Sequence, residues 1–206
     1  MNFWRRLLTA VVFLATLSLL RVVADEPVAI RLGDACPQFR DLPGVDGRKW
    51  SLGDFADKPV LVLCFTCNSC PYSVDYEERL LAFAKKYTGS TGNVALVAVN
   101  SNRKPSETLE KMGERAKQRG FVFPYVLDES QELAASCGAV YTPEFFVFDR
   151  DRRLIYKGAM DDRTKESEVQ ERHVERAVEA GLKGELPEVR EVPARGCAIP
   201  YRRGRR

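Results

Sequence analysis

Residues 59–71 read Pro59-Val60-Leu61-Val62-Leu63-Cys64-Phe65-Thr66-Cys67-Asn68-Ser69-Cys70-Pro71, and this stretch decides the architecture. Pro59 to Thr66 is a continuous apolar run rich in Val and Leu, the pattern of a strand buried on both faces. Pro71 suits the first turn of a helix, where a missing N–H costs nothing. From there to about Tyr87, the residues Val74, Leu80, Leu81, Ala84 and Tyr87 recur at helical spacing and predict an inward stripe. Between strand and helix stands Cys67-x-x-Cys70, close enough for the two sulfurs to bridge. A cysteine at a helix N-terminus faces unpaired N–H groups and the positive end of the dipole, and both favour thiolate over thiol. The placement predicts redox chemistry with Cys67, at the helix mouth, as the attacking thiolate. Cys70, one turn inside, is then the resolving thiol.

Outward from this stretch, Val28 to Leu32 and Lys49 to Leu52 read as short strands, the second following the turn signal Asp46-Gly47. Asn93 to Asn100 is a second buried strand. Ser106 to about Arg119 is an amphipathic helix with Leu109, Met112 and Ala116 inward and Gly120 as its stop. Phe121 to Leu127 predicts a third strand. Asp128 caps a short helix, with Gln131 completing a capping box and Gly138 ending it. Glu144 to Asp149 and Leu154 to Gly158 form a hairpin across the polar turn Arg150 to Arg153. Lys165 to Leu182 is a charged helix whose inner stripe is Val169, Val174, Ala177, Val178 and Leu182. Alternating strands and helices followed by a hairpin predict an α/β fold, a mixed sheet with helices on both faces. The domain runs over residues 25–183, and residues 184–206 read as an irregular basic tail.

Residues 1–24 have the layout of a secretory signal: a basic head, fourteen mostly apolar residues from Leu7 to Leu20, and small residues before Asp25. As a helix that run covers roughly 21 Å against a hydrocarbon core of about 30 Å, so a cleaved leader fits better than a spanning anchor. The protein is therefore expected outside the cytoplasm, periplasmic or extracellular, with membrane contact only if the leader stays attached. Residues 1–24 hold three of the 32 basic residues, Arg5, Arg6 and Arg21, and none of the 29 acids, so the remainder is formally neutral. That balance argues against nucleic acid as a partner. Arg202, Arg203, Arg205 and Arg206 read as a solvated end. Six cysteines in an exported chain indicate disulfide chemistry, yet about 180 residues fold without staples, so reactive cysteines are favoured over structural ones.

Tyr141-Thr142-Pro143-Glu144 before a strand, some seventy residues after Cys67-x-x-Cys70-Pro71, resembles the thioredoxin superfamily. The resemblance implies a cis bond between Thr142 and Pro143, facing the cysteines. It also implies substrate contacts at Thr142, Pro143, Asn68 and Ser69, with the Thr142 backbone open to an extended substrate segment. Gly33-Asp34-Ala35-Cys36-Pro37-Gln38-Phe39, the motif from Phe65 to Tyr72, Thr142-Pro143-Glu144-Phe145-Phe146 and the ending Gly196-Cys197-Ala198-Ile199 resemble the redoxin branch of that superfamily. The branch implies thiol–disulfide exchange with protein thiols and a redox protein as electron donor or acceptor. It also brings peroxide reduction as an alternative. The peroxiredoxin pattern Pro-x-x-x-Thr-x-x-Cys is not met, because Thr66 stands four residues before Cys70 and no proline precedes it at the required spacing. Thr66 also replaces the Trp that thioredoxin has before its first cysteine, and Leu61 replaces its buried Asp. Asp75, Glu78 and Glu144 are candidate proton acceptors for Cys70.

Cys64 reads as a small core residue. A zinc site from Cys64, Cys67 and Cys70 would need a fourth ligand from Cys197, Cys36 or His173, and a strand residue does not converge with two helix-start residues, so no metal and no other cofactor is expected. Cys36 and Cys137 either pair or lie buried. Cys197 is either an accessory thiol or a structural one. His173, among charges, faces solvent. A non-catalytic binding module using the groove beside Pro143 is the third functional reading.

Overall fold

In a computed structural model of the 206-residue chain, residues 29–89 and 92–202 are described. The expected leader, residues 1–24, lies outside them, as do Val28, Arg203, Arg205 and Arg206. No helix among the described residues is long and apolar enough to cross a membrane.

The elements follow in the order β1 (Leu42–Pro43), β2 (Lys49–Trp50), β3 (Val60–Phe65), α1 (Pro71–Tyr87), β4 (Val94–Asn100), α2 (Leu109–Arg119), β5 (Tyr125–Leu127), α3 (Glu132–Cys137), β6 (Tyr141–Thr142), β7 (Glu144–Phe148), β8 (Leu154–Gly158), α4 (His173–Lys183), β9 (Glu191–Val192) and β10 (Cys197–Ala198). The main sheet runs β5-β4-β3-β7-β8-β9. Strands β3, β4 and β5 are parallel, β7 is antiparallel to both β3 and β8, and β9 is parallel to β8. Strand β3 sits centrally, and none of its six side chains reaches solvent. Its alternation divides the core. Val60, Val62 and Cys64 face the apolar stripes of α1, α2 and α4. Leu61, Leu63 and Phe65 face α3, the lead-in residues Cys36, Phe39, Leu52 and Phe55, and Ile199 from the chain end. This is the expected mixed sheet covered on both faces.

Several boundaries differ from the sequence reading for local physical reasons. Ala29 to Leu32, the described part of the expected first strand, form no strand: Leu32 and Gly33 turn, with Gly33 at φ 90°, and the Asp34 carboxylate accepts the Arg31 N–H at 2.7 Å. Strand β5 begins only after Pro124, whose missing N–H cannot join a ladder. Gln131 does not act as a capping-box partner; it stands at φ 64° before α3, while Asp128 accepts the Ala134 N–H at 3.0 Å. Helix α4 starts at His173, because the Asp162 carboxylate accepts the Gln170 and Glu171 N–H groups and holds that segment outside the helix. The inner face of α1 includes Tyr76 and Phe83, with Glu77 and Arg79 buried beside them in ion pairs. The tail is not irregular throughout, since it supplies β9 and β10.

Candidate active site

Three segments meet at the C-terminal end of β3. The first is the turn between β3 and α1. Cys70 is the N-cap of α1, with φ −82° and ψ 119°, and Pro71 takes the first helical position. Cys70 is therefore not one turn inside the helix, and Cys67 lies in the turn before it. The second segment is β6 and the residue after it. The Thr142–Pro143 bond is cis, as the resemblance implied. The Cys70 thiol donates to the Thr142 carbonyl at 3.0 Å, and Cys67 Sγ lies 3.5 Å from the Thr142 hydroxyl. The third segment is the short turn Pro105–Glu107 after β4.

Glu107 was not legible as a site residue, and it organises the turn. Its carboxylate accepts the Asn68 N–H at 2.8 Å and the Ser69 N–H at 2.9 Å. Asn100 Nδ2 donates to the same carboxylate at 2.8 Å, and Asn68 in turn accepts from the Tyr125 hydroxyl at 3.0 Å. A buried carboxylate is tolerated when its oxygens are filled in this way. Asn68 and Ser69 are thus engaged by the protein's own acid through their backbones. Of the carboxylates expected near Cys70, Glu144 instead accepts the Val140 and Tyr141 N–H groups and shapes the approach to β6. Asp75 is exposed, and Glu78 pairs with Arg119.

The two thiols titrate as a linked pair. The Cys70 thiol is pulled down to about 4, first by the hydrogen bond from the Cys67 thiol, against burial, with further help from the Cys197 thiol and the amides of Ser73 and Cys197. The same sharing pushes the Cys67 thiol up, and burial and the nearby Glu107 charge add to it. The easily lost proton belongs to the pair, and the one that remains is shared between the two sulfurs. Both sulfurs are enclosed, Cys67 being 4% exposed and Cys70 1%.

The Thr142 backbone is not an open edge. Strand β10 pairs antiparallel with β6, placing Cys197 opposite Thr142. Cys197 is pushed up to about 11, chiefly by its interaction with Cys70. Cys64 lies in the apolar core, away from the turn, and burial raises its thiol. Cys36 and Cys137 are both buried and free, on the opposite face of the sheet. His173 is half-buried rather than solvent-facing and stacks on Tyr156. Among the described residues no group of three or more His, Cys, Asp or Glu side chains is arranged to hold a metal ion.

The fold is shared with proteins of known structure. The structure of a hypothetical protein, SMc02350, from Sinorhizobium meliloti 1021 is 40% identical, with a TM-score of 0.78 over 86% of this chain and 98% of that one. An uncharacterized conserved protein from Geobacillus kaustophilus is 34% identical, with a TM-score of 0.77 over 84% of this chain and 94% of that one. The thiol-disulfide oxidoreductase ResA of Geobacillus thermodenitrificans (strain NG80-2) is 28% identical over 139 residues, 66% of this chain and 74% of that protein. The Redoxin family model matches residues 31–172. With its thioredoxin-like fold, this chain belongs to the redoxin family.

Proposed function

We propose that the protein is a thiol–disulfide oxidoreductase whose redox pair is Cys67 and Cys70. The observation that carries this reading is the position of both sulfurs against Thr142, at 3.5 Å and 3.0 Å. The similarity to a named thiol-disulfide oxidoreductase supports it.

Cys67, the more exposed of the two residues, meets the substrate disulfide. In the reduced pair one proton is shared between the two sulfurs, and Cys70 keeps it, donating to the Thr142 carbonyl, as Cys67 attacks. Thr142 supports the step at both ends: its carbonyl accepts from the Cys70 thiol, and its hydroxyl, 3.5 Å from Cys67 Sγ, turns from the Cys197 carbonyl to donate to the charged sulfur. Attack forms a mixed disulfide between Cys67 and substrate and releases one substrate thiolate. Cys70, once deprotonated, attacks Cys67 Sγ. The Cys67–Cys70 bond forms, the second substrate thiolate leaves, and two electrons have passed to the substrate. Run in reverse, the same steps oxidise a substrate dithiol.

The partners are protein thiols or disulfides and a redox protein that resets the pair. The leader reading of residues 1–24 supports a site of action outside the cytoplasm, which N-terminal sequencing of the protein recovered from expressing cells checks.

Insulin reduction with dithiothreitol as electron source tests the activity. Cys67→Ser abolishes turnover, and Cys70→Ser accumulates mixed disulfides. A Cys70→Ser variant with undiminished turnover would overturn the assignment.

A further inference from the structure

The last described strand lies on the edge that the redox pair faces, and it is fastened there. A Cβ on Gly196 would stand 2.0 Å from the Thr142 carbonyl oxygen, so only glycine lets the backbone come this close. Beyond β10, Ile199 is 1% exposed and donates its N–H to Val140 at 2.9 Å. The Tyr201 hydroxyl donates to the Ala139 carbonyl at 2.6 Å. Gln131, in its left-handed position, donates to the Pro200 carbonyl at 3.2 Å and accepts the Arg202 N–H at 3.0 Å. Cys197 is thus held from both sides, its carbonyl accepting from the Thr142 hydroxyl at 3.4 Å.

This places a third sulfur beside Cys70. Cys197 stands opposite Thr142 in the pairing of β10 with β6, Thr142 is the residue whose carbonyl accepts the Cys70 thiol at 3.0 Å, and the Cys70 thiol interacts with the thiols of both Cys67 and Cys197. All three are free, and Cys197 alone among the six cysteines is not buried. A strand fastened so closely keeps its thiol at short range from Cys70, at an effective concentration that a mobile tail would not reach.

We propose that Cys197 is the third redox cysteine of this site, exchanging with Cys67 as the disulfide partner of Cys70. This rests on the reading of Cys67 and Cys70 as the redox pair. In the exchange the Cys197 thiolate attacks Cys70 Sγ of the Cys67–Cys70 disulfide. The Cys70–Cys197 bond forms as the Cys67–Cys70 bond breaks, and Cys67 leaves as thiolate and takes the proton Cys197 gave up. The step is an isomerisation, with no net oxidation and no added reagent. It moves one end of the oxidised pair from an enclosed sulfur to the most exposed one. A partner dithiol then attacks Cys197 Sγ and frees Cys70. Closing its own disulfide, the partner frees Cys197, and two electrons enter the site.

The test uses full-length Cys67→Ser, oxidised with diamide, alkylated and digested with trypsin. Residues 196–202 are expected to be joined to the fragment holding Cys70, with tandem mass spectrometry placing the bond at Cys70 and not at Cys64. The added change Gly196→Ala, which pushes the strand off Thr142, should slow that bond at least tenfold. Wild-type protein treated with a limiting amount of diamide should show both bridges, a reading that does not depend on how well the variant folds. Finding Cys197 alkylated throughout, in the variant and in wild type, would overturn the proposal. A Cys197→Ser chain tells the two readings apart: if it still closes Cys67–Cys70 while no Cys70–Cys197 bond is found elsewhere, only the third-cysteine role falls. If it does not close Cys67–Cys70, the proposed redox pair falls.

Discussion

Glu107 holds Asn68 by its backbone: the carboxylate accepts the Asn68 N–H at 2.8 Å, and its other oxygen accepts the next N–H in the chain at 2.9 Å. The acid is 2% exposed and sits on the turn after β4, so it ties the residues between the two cysteines to a neighbouring strand. It acts on the sulfurs by holding the turn that carries them and by its charge.

Replacing this acid separates those two effects. Glu107→Ala leaves two amide groups without their acceptor, at a cost of about 2 kcal/mol or more. Urea unfolding of the reduced protein measures it. Glu107→Gln keeps the side-chain shape and removes the charge, so the Cys67 thiol, which that charge holds up, should ionise at lower pH. Thiolate ultraviolet absorbance reads this shift, which a purely structural role would not produce.

The proton shared by the cysteines gives stability a pH dependence of known sign. The pair loses its first proton at about 4 in the fold, against about 8.5 for a thiol in an unfolded chain. Between those values the unfolded state binds one more proton, so stability rises with pH and is lost as pH falls through the lower value. Cys67 is shifted upward, so above about 8.5 the unfolded state releases a proton that the fold retains, and stability falls again. The difference in Tm between reduced wild type and Cys70→Ala should grow along the first limb. In Cys67→Ala, which lacks the donor, the Cys70 absorbance step should move toward ordinary thiol pH.

Arg79 and Asp161 form an ion pair at 2.6 Å with side chains 2% and 1% exposed. The Tyr76 hydroxyl donates to the other Asp161 oxygen at 3.1 Å, and the guanidinium lies 3.5 Å from the Tyr76 ring centre. Asp161→Ala strands a buried cation and should cost about 3–5 kcal/mol in denaturant unfolding. Arg79→Met combined with Asp161→Leu should recover most of that loss.

Gly158 stands at φ 128°, and a Cβ there would come 1.7 Å from the Val192 carbonyl oxygen. Gly158→Ala should therefore detach β9 from β8. Hydrogen exchange would show the Ala159 N–H, which bonds Val192, losing protection while the amides of β3 and β4 keep theirs.

The central elements were legible because their sequence signals are local. The Val- and Leu-rich run of β3 admits little besides a fully buried strand, and Pro71 marks the start of α1 to the residue. The pair Glu144–Phe148 and Leu154–Gly158 announced itself by a polar turn between two apolar runs. The cis bond after Thr142 was inferred through resemblance alone, since nothing in a Thr-Pro dipeptide selects that isomer. Glu107 escaped notice because a single acid in a three-residue turn has no period, and its partners lie 38 and 39 residues away. The pairing of β10 on β6 was hidden for a similar reason: two-residue strands have no alternation to read, and their register is set by Gly196 and by anchors at Gln131 and Ala139. The inward Glu77 and Arg79 of α1 look like surface residues until their buried partners are known.

With Cys197 and Ala198 already laid along β6, a polypeptide that adds a strand at Thr142 has to evict the protein's own backbone first. Its observed dissociation constant is the intrinsic one divided by the fraction of molecules whose end is detached. A segment that fits this edge well will therefore bind more weakly than its hydrogen bonds alone would give, and loosening the end of the chain will strengthen its binding without any new contact.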